Sequence, residues 1–208
     1  MSDTDDNARE VAAAEALLSK TLGGWRGVID SSLPALVFLL VFTFGGKNLQ
    51  QAIIGAAVVA VGLALLRAVR RQSLQQVLSG VIGVAFAAWF SSRSGKAEDF
   101  FLPGLLTNLA YATGILISIA IRFPVVGLVI GGLQGDVLGW RNNPETARFY
   151  RMLSWWWVGM FLLRLIVQLP LYFAHQVELL GTVKIVMGWP LYLAVVWVTF
   201  RAVKARQQ

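Results

Sequence analysis

The chain has 208 residues, of which 57% are hydrophobic and 14% charged, where soluble domains run at about 45–50% and about 25%; with a mean hydropathy of +0.65, an ordinary soluble domain is excluded. The absence of cysteine excludes disulfides, thiolate metal sites and cysteine nucleophiles. The formal net charge of +7 sits in short loops between apolar runs, where it orients a membrane protein and does not build a nucleic-acid face.

Residues 1–27 open on Ser2-Asp3-Thr4-Asp5-Asp6, a polar, acidic stretch expected to be disordered and without a cleavable signal sequence. Asn7 and Glu10 have capping-box spacing, and Ala12, Ala13, Ala16 and Leu17 follow on one face, so a short amphipathic helix at the membrane surface is expected before Gly23-Gly24. The first span is expected over 28–44, with Pro34 inside it and Asp30 near its entry, where a carboxylate still reaches interfacial water. Gly45-Gly46-Lys47-Asn48 is short enough to force an antiparallel hairpin into a second span over 52–68, which Arg67, Arg70 and Arg71 close. A third span over 77–90 is rich in small residues, and a polar loop over 91–99 follows it.

The stretch 100–140 is nearly unbroken apolar sequence and too long for one crossing, since about 20 residues span a bilayer core. In the span over 102–121, Thr107, Tyr111, Gly114, Ser118 and Arg122 recur at helical spacing with Asn108 beside them. Such a stripe faces protein or water, either as a hydrogen-bonded packing seam or as the wall of a solute path. Residues 124–140 carry Gly127, Gly131, Gly135 and Gly139 at every fourth position, a ladder expected to pack closely on a neighbouring helix, with Asp136 among them. After the polar turn Arg141-Asn142-Asn143-Pro144-Glu145, residues 146–151 lead helically into a span over 152–173, with Trp155, Trp156 and Trp157 in the aromatic belt. The last span, over 183–200, ends in Arg201, Lys204 and Arg206.

Basic residues decide whether 124–140 crosses. If it stays on one side, six spans place Arg9, Lys20 and Arg26, then Arg67, Arg70 and Arg71, then Arg122, Arg141, Arg148 and Arg151, and finally Arg201, Lys204 and Arg206 on the inner side. Only Lys47, Arg93, Lys96 and Lys184 are then outside, and Arg164 is within a span. Seven spans would abolish this bias. The expectation is an all-α polytopic membrane protein with six transmembrane helices plus a glycine-rich re-entrant or interfacial helix, both termini in the cytoplasm, seven spans being the alternative.

The motifs Leu33-Pro34-Ala35-Leu36-Val37-Phe38, Arg67-Ala68-Val69-Arg70, Arg122-Phe123-Pro124-Val125-Val126-Gly127, Trp140-Arg141-Asn142-Asn143-Pro144 and Gly188-Trp189-Pro190-Leu191 occur in this order. With Arg164-Leu165-Ile166-Val167-Gln168-Leu169-Pro170-Leu171-Tyr172, they resemble an actinobacterial membrane family known as a domain of unknown function, number 3159, over most of residues 22–205. More loosely, the chain is similar to the intracellular septation protein A group. That resemblance implies a bacterial cytoplasmic-membrane protein with a role in envelope maintenance and division, and it supplies no catalytic residue.

The acidic residues do not recur three or four apart on any span, as holding a divalent metal against a diphosphate requires, and His175 has no partners for zinc or triad chemistry. No enzyme activity, metal or cofactor is therefore expected. What remains is the face formed by Arg164, Gln168, Tyr172 and His175. An arginine at mid-span costs about 2.5–3.5 kcal/mol on insertion scales, so it should face the bundle and find an acidic or carbonyl partner, with Asp136 as the first choice and Asp30 as the second. The expected partners are the lipid bilayer, with other membrane proteins or a second copy of the chain, and no nucleic acid. Two functions follow: a non-catalytic envelope protein acting through membrane-protein contacts, or a small transporter or channel subunit whose polar stripes line a path.

Overall fold

A computed structural model describes residues 24–69, 74–133 and 135–207. Among them every regular element is helical, and the chain divides into two compact units, Met1–Lys96 and Ala97–Gln208. The expected N-terminal amphipathic helix, the Arg70 and Arg71 end of the second span and the Asp30 side chain lie outside the described residues.

In the first unit, α1 (Gly24–Phe44), α2 (Leu49–Val69) and α3 (Leu74–Ser94) follow in order, and α2 packs on both of the others. The hairpin between α1 and α2 is as tight as the sequence requires. Gly46 and Lys47 take left-handed backbone conformations (φ 72° and 58°), the Lys47 N–H donates to the Phe42 carbonyl at 3.0 Å, and the Asn48 side chain accepts from the Gln51 N–H at 3.1 Å to cap α2. Ala52, Ala56 and Ala60 repeat every fourth residue on the buried face of α2, while Phe38 and Phe42 are buried in α1 with their rings stacked at 6.0 Å. Ile54, Val58 and Leu65 are left more than half exposed, which suits contact with lipid.

The second unit opens with a 3-10 turn, Ala97–Phe101, that runs into α4 (Leu102–Ala120), whose Pro103 occupies the first turn where a missing N–H costs nothing. There follow α5 (Val125–Leu133), a second 3-10 turn (Gly139–Asn142), α6 (Pro144–Phe173), α7 (Val177–Val186) and α8 (Trp189–Gln207). Asn143 caps α6 by accepting from the N–H groups of Glu145 at 2.9 Å and Thr146 at 3.4 Å, so residues 146–151 lead helically into the span, as predicted. α6 is the hub, packing on α4, α5, α7 and α8. It runs antiparallel to α4: Tyr111 meets Phe161, ring centres 5.3 Å apart, while Asp99 before α4 meets Tyr172 near the end of α6.

Four stretches among the described residues are long and apolar enough to cross a membrane, Leu49–Leu66, Ala97–Ala120, Pro144–Phe173 and Val177–Arg206, and Ser32–Phe44 is a shorter apolar helix. This is the architecture of a helical membrane protein. Two expectations need correction. The last span, expected as one helix over 183–200, is built from α7 and α8 with a break at residues 187–188. The glycine-rich stretch 124–140 is not one helix either: α5 stops at Leu133, and its 9 residues extend only about 13 Å, under half of a bilayer core of about 30 Å, so it cannot cross alone.

Candidate functional site

Within the second unit, residues of α4, α6, α7 and α8, with Val125 at the start of α5, line a cavity of about 830 Å³. From α4 come Gly104, Thr107, Asn108 and Tyr111, all on the polar stripe or beside it; Arg164 comes from the middle of α6, Lys184 from α7 and Tyr192 from α8. The Thr107 hydroxyl is turned back to the Pro103 carbonyl at 2.7 Å, and Asn108 is buried. The Arg164 Nε is buried and meets no acceptor among the described residues; the same holds for the Gln168 Nε2 one turn further along α6. Arg164 and Lys184 are two cations lining one cavity, and neither forms an ion pair with a carboxylate of a described residue. Lys184 instead lies over the Phe101 ring, 4.9 Å from its centre, and only the absence of a side chain on Gly104 lets its Nζ come so near α4. The Arg164 Nη2 lies beside Gly188, 3.8 Å from where a Cβ there would stand, at the carbonyl end of α7. That end of a helix carries partial negative charge, so it eases the burden of a guanidinium but does not neutralise it.

The last two residues of the expected α6 face have a different occupation. The Tyr172 hydroxyl donates to the Asp99 carboxylate, and the His175 Nδ1 bonds and pairs with Glu98. Both acids are buried in the 3-10 turn before α4, and His175 is exposed, in a left-handed conformation (φ 57°) just past the end of α6. These two contacts clamp the C-terminal end of α6 to the start of α4, directly beyond the cavity's cationic end. Among the described residues, no three His, Cys, Asp or Glu side chains come together as a metal site would need.

The other expected site residues are elsewhere. Ser118 is buried, donates to the Ile115 carbonyl at 2.7 Å and accepts from the Val125 N–H at 3.3 Å, so it fixes the entry to α5. Ser154 of α6 does the same for the Val126 N–H, at 3.4 Å. Arg122 is exposed at the turn between α4 and α5, with φ 62°. Asp136 does not pair with Arg164. Its carboxylate accepts from the N–H groups of Leu138 at 3.3 Å and Gly139 at 2.8 Å, closing a local turn on the surface.

The glycine ladder is likewise not one helix face, because Gly135 and Gly139 lie past the end of α5 and Gly135 takes φ 79°. The chain folds back on α5 instead. A Cβ on Gly131 would stand 2.7 Å from the Asp136 carbonyl oxygen and 2.9 Å from that of Val137, and one on Gly127 would stand 3.0 Å from the Trp140 ring. The expected close approach exists at Gly127 and Gly131, but its partners are the returning chain and Tyr150 near the start of α6, well away from Arg164.

The cavity gathers Thr107, Asn108 and Tyr111 from one expected stripe and Arg164 from the other, together with Lys184 and Tyr192, which the sequence did not single out; nor did it single out Glu98 and Asp99. Lys184 was counted among the outside basic residues at the start of the last span because the break at Gly188 was not anticipated; the proline two residues later was the available signal. The family model described as protein of unknown function (DUF3159) matches residues 22–208. No curated protein and no solved structure matches the chain.

Proposed function

The chain belongs to the DUF3159 family, and we propose that it is a six-span protein of the bacterial cytoplasmic membrane that binds an anion in the Arg164–Lys184 cavity and carries it through the bilayer. In this reading α1, α2, α3, α4, α6 and the α7–α8 pair are the spans, α5 stays on one side, and the basic-residue bias holds both termini in the cytoplasm. The observation that carries the reading is the buried Arg164 Nε without an acceptor, beside a second cation. A purely structural arginine at this depth would recover its insertion cost by engaging carboxylates or backbone carbonyls with all its N–H groups. Arg164 has no carboxylate partner among the described residues and its Nε meets no acceptor, and an anion held between the guanidinium and Lys184 would compensate both charges.

The role is binding and passage, without covalent chemistry. A part in envelope maintenance through contacts with other membrane proteins draws on no comparable feature, since exposed apolar residues such as Ile166 are what lipid contact alone demands.

Uptake by proteoliposomes tests the proposal, with radiolabelled acetate, benzoate and phosphate set against choline. At least one anion should enter faster than in protein-free vesicles, with Arg164→Gln and Lys184→Gln each removing the increment and choline unaffected. Equal permeation of every anion with and without protein would defeat the transport reading.

A further inference from the structure

We infer that the ligand of this cavity is an anionic amphiphile, a phosphate or carboxylate head on an apolar body, with the head held by Arg164 and Lys184 and the body lying along α4 and α6. The inference rests on the anion-binding reading above and adds to it the shape and polarity of the rest of the cavity. The cations, Thr107 and Asn108 gather near the start of α4. Further along, the lining turns to Ile115 and Val125 on one side and to Phe161 and Trp157 on the other. From Gly104 to Ile115 the wall of α4 rises about 16 Å, and the antiparallel run from Arg164 back to Trp157 covers about 10 Å. An inorganic ion would use one end of this space and leave the apolar remainder without purpose. A volume of about 830 Å³ lies in the range of sites that enclose an organic molecule.

Access points the same way. Tyr111 is 57% exposed although it lines the cavity, and Ala110 and Gly114 beside it are exposed too, so the α4 wall is open on its flank. Because α4 belongs to a membrane-spanning stretch, that flank lies at the level of the bilayer, where amphiphiles concentrate. The same head-and-body chemistry is offered by a phospholipid of the surrounding membrane and by a soluble organic acid or phosphate ester.

The test uses the full chain in neutral detergent, following its melting temperature as decyl phosphate, inorganic phosphate, decanol or decyltrimethylammonium is added. Decyl phosphate should stabilise saturably, inorganic phosphate should require at least about tenfold more, and the other two should do nothing. Arg164→Gln and Lys184→Gln should each weaken decyl phosphate binding about tenfold or more, the loss expected for one charge-assisted contact, while Arg148→Gln should not change it. Should the cavity variants fold poorly, the comparison of ligands on the native chain decides alone. Inorganic phosphate matching decyl phosphate would overturn the amphiphile inference and leave anion binding standing. Decanol matching it, or no ligand stabilising, would overturn both. Nanodiscs separate the sources: displacement of decyl phosphate by phosphatidylglycerol in the disc supports a lipid ligand, and displacement by added decanoate alone supports a soluble one.

Discussion

The Tyr172 hydroxyl donates a hydrogen bond to the Asp99 carboxylate, joining residues 73 positions apart and closing the end of α6 onto the start of α4. Asp99 is 4% exposed, so removing its donor strands a carboxylate that water cannot easily reach. Tyr172→Phe should lower stability by about 1–3 kcal/mol, read as an earlier melting transition in detergent. Combining it with Asp99→Leu should cost less than the sum of the two single changes, because neither partner is then left unsatisfied.

Arg164 and Asp136 are independent. Arg164→Leu and Asp136→Leu should therefore act additively on melting temperature, within about 0.5 kcal/mol, as distant sites do. Recovery of the single Arg164→Leu defect in the double variant would show that the two do meet.

Gly131 and Gly132 are neighbours on α5 with opposite surroundings. A Cβ at Gly131 would press on the backbone carbonyls of Asp136 and Val137, which cannot swing aside, whereas at Gly132 it would meet nothing within 4 Å. Gly131→Ala should destabilise the fold, and Gly132→Ala should leave it unchanged or raise stability by up to about 1 kcal/mol through helix propensity. Thermal unfolding of the two variants side by side checks this, and equal behaviour would count against the folded-back chain.

With α5 too short to cross, Lys47 and Arg148 should lie on opposite faces of the membrane. The native chain has no cysteine, so single cysteines at these positions can be labelled in intact cells by a reagent that does not permeate. Labelling is expected at position 47 and not at position 148. Labelling of both would mean that residues 124–140 reach the other side.

Helices were legible because hydropathy and turn chemistry are local: the Gly45–Asn48 turn and the polar turn over 141–145 before the next helix could be read from a few adjacent residues. Arg164 and the Thr107, Asn108 and Tyr111 group were legible because polar residues at helical spacing in an apolar span have few other uses. Glu98 and Asp99 were not, since their partners Tyr172 and His175 are 73 and 77 positions away and no local pattern records such pairing. The glycines misled for a specific reason. A four-residue period reads as a helix face only while the helix continues, and Gly135, at φ 79°, has already left it.

The central claim is that Arg164 and Lys184 hold an anionic head with its body against Ile115, Phe161 and Trp157, and photolabelling tests it most directly. A decyl phosphate carrying a diazirine midway along its chain would be irradiated with the full protein, and the modified residues mapped by mass spectrometry. Labels should concentrate on α4 and α6 at these three positions, disappear with excess unmodified decyl phosphate, and be lost in Arg164→Gln. Labels spread over the exposed apolar faces of α2 and α6, insensitive to competitor and to Arg164→Gln, would contradict it.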